Sequence, residues 1–269
     1  MNERINKTFL NKKKKFVTFV TGGDPNINSS LEILKQLVKS GSDIIEIGMP
    51  FSDPMADGPT IQLSSIRAIK QGVDLNKIFN LCKEFRKFDN KTPIILMGYY
   101  NPIHFYGNKK FIEECSKSQI DGLIIVDLQP ENDNDLIELA NKKNIAFIRL
   151  ITPTTNDERL KQILPNASGF LYYVSITGVT GASLDKLNNL DRLKNSIEKI
   201  KEKTDIPIIV GFGIKTKEQV QEIFEFADGV VVGSSIIKII EKAINEKSPI
   251  NKILNDISFF IKSLLNKES

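Results

Sequence analysis

Short apolar, β-rich runs alternate with amphipathic helical patterns along the whole chain, and this alternation limits the fold more than any other feature. FVTFVT at Phe16–Thr21, DIIEIG at Asp43–Gly48, PIILMGY at Pro93–Tyr99 and DGLIIVD at Asp121–Asp127 read as four strands. IAFIRLI at Ile145–Ile151, GFLYYVS at Gly169–Ser175, PIIVGFG at Pro207–Gly213 and DGVVVGS at Asp228–Ser234 read as four more. Near-continuous apolar runs of this length suit parallel strands covered by helices. Eight strand and helix units in one series predict an α/β fold, a single (β/α)₈ TIM barrel, over an open doubly wound sheet of fewer strands. With 269 residues, no low-complexity linker and 41% hydrophobic composition, residues 1–269 are expected to form one domain around one large core.

The helical segments carry their own ends. Ser29 with Glu32 predicts a capping box, Leu31, Leu34, Leu37 and Val38 a buried stripe, and Gly41 the stop. Thr216 with Gln219 predicts a second capping box ahead of Val220, Ile223 and Phe224.

Composition narrows the chemistry. The net charge of +4 comes from lysines spread along the chain, with one run at Lys12–Lys15 and no interleaved aromatics, which describes a solvated basic face more than a nucleic-acid surface. No stretch reaches the length of a membrane span, and the amino-terminal residues lack the apolar core of a signal peptide, so a cytoplasmic location is expected. Cys82 and Cys115 are isolated within helical patterns and read as buried free thiols. With His104 as the one histidine, a metal centre built on histidines is excluded and no metal site is predicted. Catalysis then falls to carboxylates, hydroxyls, backbone dipoles or Lys.

Glu46 lies at the end of the second strand among Ile44, Ile45 and Ile47, a setting that strips hydration from the carboxylate and favours its protonated form. Asp57 follows in the loop before Gly58 and Pro59, either as a functional carboxylate or as the cap of a helix near Thr60. Two carboxyl groups in unlike environments can divide acid and base roles. Asp24 and Asp53 read as turn residues, Asp127 stays open, and His104 reads as a loop residue.

The ends of strands six to eight are rich in glycine: SITGVTG at Ser175–Gly181, GFG at Gly211–Gly213, and Gly233 with Ser234 and Ser235 opening a helix at Ile236. Backbone amides beside a helix start at this end of a barrel predict a phosphate site. Phe19, Tyr172, Phe212 and Leu96, also near strand ends, read singly as core packing and together as candidate walls for a flat aromatic ligand.

The run EIGMPFSDPMADGPTIQ at Glu46–Gln62 resembles the signature of the tryptophan synthase alpha subunit. FVTFVTGGDP, GYYNPI, SITGVTG, GFGI and VVGSSIIKIIE are similar to further blocks of that family, in order and across essentially the whole chain. The resemblance implies retro-aldol cleavage of indole-3-glycerol phosphate to indole and glyceraldehyde 3-phosphate. It assigns catalysis to Glu46 and Asp57, phosphate contacts to Gly181, Gly213, Gly233 and Ser234, indole contacts to Phe19, Tyr172 and Phe212, and flap closure to Thr180. It implies no cofactor in this chain and, as partner, a beta subunit carrying pyridoxal phosphate in an alpha2beta2 heterotetramer. The docking surface is expected around Asp53, Pro54, Asn101, Phe105 and Gln129–Glu131, on loops bordering the site.

Two departures stand out. Ile176 replaces an Arg that some members carry in the flap, and VDLQPEN at Val126–Asn132 lacks prolines that many members carry. Two rival classes remain: another phosphate-sugar enzyme on the same barrel, which has no reason to carry the Glu46–Gln62 run, and a noncatalytic activator, which would have lost Glu46 or Asp57.

Overall fold

All the strands run parallel in one sheet whose ends meet. The computed structural model describes residues 2–175, 186–211 and 213–266. The strands are Lys15–Thr21, Ile44–Gly48, Ile94–Gly98, Gly122–Ile125, the pair Ala146–Phe147 and Arg149–Ile151, Leu171–Val174, Ile208–Gly211 and Gly229–Val232. The two members of the pair, separated by Ile148 alone, sit at opposite ends of the nine-segment order. They are halves of one stave: Ala146–Phe147 bonds the fourth strand and Arg149–Ile151 bonds the sixth. The eight staves thus close into a (β/α)₈ barrel, at the positions the sequence pattern predicts.

Alternation along the strands sorts the core into two layers. Val17, Phe19, Ile44, Ile95, Ile124, Ile148, Ile209 and Val231 fill the barrel interior. Residues of the other parity, among them Phe16, Val20, Ile45, Ile47 and Leu96, pack outward with the helices. The helix Glu3–Leu10, capped by the Asn2 side chain, plugs the amino-terminal end with Ile5, while Phe9 meets Phe170 at 6.2 Å between ring centroids.

Two predicted caps fare differently. Thr216 and Gln219 form their capping box at the start of Lys217–Phe226. Ser29 and Glu32 do not: the helix Ile27–Ser40 starts earlier, because the extended Asn26 accepts the Ser29 amide at 2.9 Å. Ser30 then turns inward to accept the Gly23 amide at 3.0 Å, and Glu32 pairs with Lys35 on the surface. Ile33 takes a place in the buried stripe beside Leu34 and Leu37, with Leu31 and Val38 at its edges, and left-handed Gly41 ends the helix. Cys82 and Cys115 are buried free thiols. Among the described residues no helix is long and apolar enough to cross a membrane.

Candidate active site

Glu46 is the third residue of the second strand, paired in register with Phe19 on one side and Ile95 on the other, and inward parity places its side chain inside the barrel. It is 0% exposed, and neither carboxylate oxygen has a hydrogen-bond partner among the described residues. Burial without compensation disfavours the ionised form and raises the carboxyl to about 8. At neutral pH Glu46 therefore holds its proton.

Asp57 follows on the loop leaving the same strand. It does not cap a helix: Pro59–Lys70 begins with Gly58 at its cap and has no side-chain cap bond. Its backbone carbonyl is fixed instead by Gln62 Nε2 at 2.8 Å. Partial burial raises its carboxyl to about 6 and the Tyr99 hydroxyl draws it back down, so Asp57 is ionised at neutral pH. Tyr99 Oη also accepts the Ala56 amide at 3.0 Å, tying the loop to the end of the third strand. Tyr172 links the two carboxyl groups: burial first, then the charges of Glu46 and Asp57, push its hydroxyl well above the usual range.

Above this core opens a cavity of ≈ 200 Å³ at the carboxyl ends of the strands. Phe19, Asp57, Tyr172, Gly213, Gly233 and Ser234 all line it. Glu46 lies within the barrel beside Phe19 and is not part of its lining. Thr180, Gly181, Phe212 and Ile176 lie outside the described residues. Gly213 has φ +64° with open space where a Cβ would stand, so its backbone faces the cavity unobstructed. Gly211 and Gly233 serve the rings: a Cβ on the first would come within 2.6 Å of the Tyr172 hydroxyl, and on the second within 3.1 Å of Phe19. Ser234 opens the helix Ser234–Asn245, which has no side-chain cap, leaving its amino-terminal amides and positive dipole end at the cavity.

Of the four candidate walls, Leu96 takes the core-packing role. Leu96 packs outward among the helices, whereas Met97 lines the cavity, because neighbouring strand residues face opposite ways and the apolar run gives no sign of its phase. Sequence reasoning also missed Tyr99, Ile61, Lys215 and Lys238. Tyr99, directly after the third strand, had a polar group near a strand end as its signal. Asp24 and Asp127 have structural partners. Asp24 forms a two-bond ion pair with Arg67, both contacts at 2.8 Å, and Asp127 accepts the Tyr100 amide at 2.7 Å. His104 is an exposed residue of the short helix Tyr100–Tyr106, not of a loop. Among the described residues no group of three or more His, Cys, Asp or Glu is placed to hold a metal ion.

The sequence profile of the tryptophan synthase alpha chain matches residues 5–261. The chain belongs to the tryptophan synthase alpha chain family. It is similar to the tryptophan synthase alpha subunit of Legionella pneumophila, at 39% identity over 99% of each chain with a TM-score of 0.88. It is also similar to a chain of the tryptophan synthase α2β2 complex of Pyrococcus furiosus, at 36% identity over 94% of this chain and 99% of that one, with a TM-score of 0.82. As a tryptophan synthase alpha chain it is a lyase of tryptophan biosynthesis that cleaves indole-3-glycerol phosphate to indole and glyceraldehyde 3-phosphate.

Proposed function

We propose that this lyase works by dividing protons between Glu46 and Asp57. The observation that carries the assignment is their unlike setting: Glu46 is fully buried with no hydrogen-bond partner among the described residues, whereas Asp57 lines the cavity, so burial raises the first to about 8 and the second to about 6. Protonated Glu46, its side chain turned from the barrel interior into the cavity, gives its proton to indole C3, which leaves positive charge on the ring nitrogen. Ionised Asp57 accepts a hydrogen bond from that N–H and offsets the charge. Glu46, now a carboxylate, takes the proton of the glycerol hydroxyl. That carbon becomes the aldehyde, the bond to C3 breaks, and its electron pair restores the indole ring. Glu46 ends the cycle protonated, as it began.

Phe19 and Tyr172, together with Phe212, hold the indole. Gly213, Gly233 and Ser234, with Gly181, hold the phosphate, and Thr180 belongs to the flap that closes over them. The support for this arrangement is that the described members line one cavity at the start of an uncapped helix. The steps use the chain's own side chains and no cofactor.

The chain acts as one domain, in the cytoplasm, with a beta subunit as partner in an alpha2beta2 assembly that receives the indole. The Pyrococcus relative is described as an α2β2 complex with mutual activation. The docking face is the rim formed by Asp53, Pro54, Asn101, Phe105 and Gln129–Glu131. Phe105 is 94% exposed and Met55, the residue after Pro54, 80%, large apolar groups suited to a partner surface. Docking there biases the Asp57 loop toward its closed form and so raises the rate.

Indole release followed across pH tests the proton assignment. kcat/KM is expected to fall below about 6, as Asp57 gains a proton, and above about 8, as Glu46 loses one. A profile flat across that window removes it. Mixing with the cognate beta subunit is expected to raise the rate, and neither association nor rate change would remove the partner.

A further inference from the structure

The phosphate end of the cavity has a charge imbalance that backbone amides alone do not meet. A phosphate monoester carries about −1.5 to −2 charges at neutral pH, whereas a helix amino terminus offers roughly +0.5. Lys215 and Lys238 are the two cationic side chains among the described residues that line this cavity. The chain has 37 Lys and Arg, and position at the cavity sets these two apart.

Their placement follows from the local fold. Lys238 stands four residues after Ser234 on the helix Ser234–Asn245, hence on the same face one turn along. Helical side chains lean toward the amino terminus, and a Lys stem spans a turn of about 5.4 Å, so its ammonium can reach back over Ser234. Lys215 lies two residues after the left-handed Gly213, in a loop held by its own amide on Gln219 Oε1 at 2.8 Å. Ser235 Oγ donates to the Ile214 carbonyl at 3.0 Å, binding that loop to the helix start and holding both lysines on one rim. Lys242, one turn further along, is paired with Glu246. Among the described residues no carboxylate pairs with Lys215 or Lys238.

We propose that Lys215 and Lys238 complete the phosphate subsite, neutralising the charge left over by the amides and selecting substrates that carry a phosphate dianion. This rests on the phosphate lying at Gly213, Gly233 and Ser234. Both lysines touch the group remote from the bond that breaks, so they hold ground state and transition state alike and govern KM more than kcat. Their exposure to solvent makes the contribution sensitive to salt.

Lys215→Gln, Lys238→Gln and the double variant, assayed for cleavage of indole-3-glycerol phosphate and for inhibition by inorganic phosphate, test the assignment. Each single change is expected to raise KM about 5- to 10-fold and the double change about 50-fold, with kcat within about threefold of wild type. The inhibition constant for inorganic phosphate should rise in parallel, and Lys238→Arg should keep most of the wild-type affinity. If phosphate competes with substrate equally well in wild type and double variant, the lysine assignment is overturned while the phosphate placement stands. If phosphate does not compete in the wild type, the placement fails and the lysine assignment with it. A fall in kcat at unchanged KM would also overturn the proposal, because it would assign the lysines to the chemical step.

Discussion

The two ends of the barrel treat a buried carboxylate in opposite ways. At the amino-terminal end Asp121, 0% exposed, accepts from Arg86 at 2.5 Å, from Arg4 at 3.0 Å and from the Ile94 amide at 2.8 Å. Deeper toward the carboxyl ends of the strands Glu46 is equally enclosed and has no partner at all among the described residues. A buried charge surrounded by donors ties elements together, and here Asp121 joins the amino-terminal helix, the helix Leu75–Phe88 and the third strand. A buried carboxyl without donors keeps its proton and can give it away. Burial is common to both, so the hydrogen-bond partners decide which one stabilises and which one reacts. This is the division between a stability face and a reactive face expected of such barrels.

Glu46→Gln should give the largest effect and would break the comparison most directly. Turnover is expected to drop roughly 10²- to 10⁴-fold with substrate binding retained. The same variant should be more stable than wild type at pH 8. In the wild type the folded-state carboxyl of Glu46 lies at about 8, above the ordinary value of 4.5. The stability linked to Glu46 is therefore fully present below about 4.5 and lost as pH rises through about 8. Gln does not titrate, so its advantage in thermal unfolding should grow across that window. Wild-type kcat, or an equal melting difference at pH 5 and pH 8, would show that Glu46 is an ordinary buried acid.

Arg86→Met should do the reverse. It strips Asp121 of one cation and frees the carbonyls of Gln119 and Thr92 that Arg86 also holds, so stability should fall by about 3–5 kcal/mol. Turnover per folded molecule should stay within about twofold of wild type, since the substituted residue lies at the far end of the barrel. Denaturant unfolding beside active-site-normalised kinetics separates the two effects, and a loss of turnover comparable to that of Glu46→Gln would erase the distinction between the ends.

Asp57→Asn comes next, with kcat lower by about 10²-fold, because a neutral amide does not offset charge on the indole nitrogen. Its unfolding free energy at neutral pH should stay level or rise, since Asp57 caps no helix and burial disfavours its charged form. A clear stability loss at unchanged kcat would restore the capping role. The smallest effect is expected from Tyr99→Phe. Without the hydroxyl that draws it down, Asp57 should titrate above about 6, so activity at pH 6 falls several-fold while activity at pH 8 stays near wild type. An acid limb that does not move would remove Tyr99 from the proton balance.

The strands were legible because each is a run of apolar residues set off by Gly, Pro or Asp, a signal that survives without neighbours. Glu46 was legible for the same reason: a lone carboxylate inside IIEIG has nowhere wet to go on a strand buried on both faces. The start of Ile27–Ser40 was less so. Asn26, Ser29 and Ser30 all suit a cap, and the choice fell to Asn26 because Ser30 was taken by the Gly23 amide of the preceding turn.

Consecutive residues therefore carry what is local and repetitive: eight staves, the helices between them, glycines where the last staves end, and a carboxylate stranded among isoleucines. Everything that depends on phase and on distant neighbours waits for the closed barrel. Met97 and not Leu96 faces the cavity because the barrel closes with one parity inward. Tyr99 reaches the Asp57 loop because the second and third strands lie side by side. Lys215 and Lys238 share a rim because Ser235 bonds back to Ile214. Periodicity is written in consecutive residues, whereas the direction a side chain faces and the partner it meets are fixed only when staves far apart in sequence pair and close.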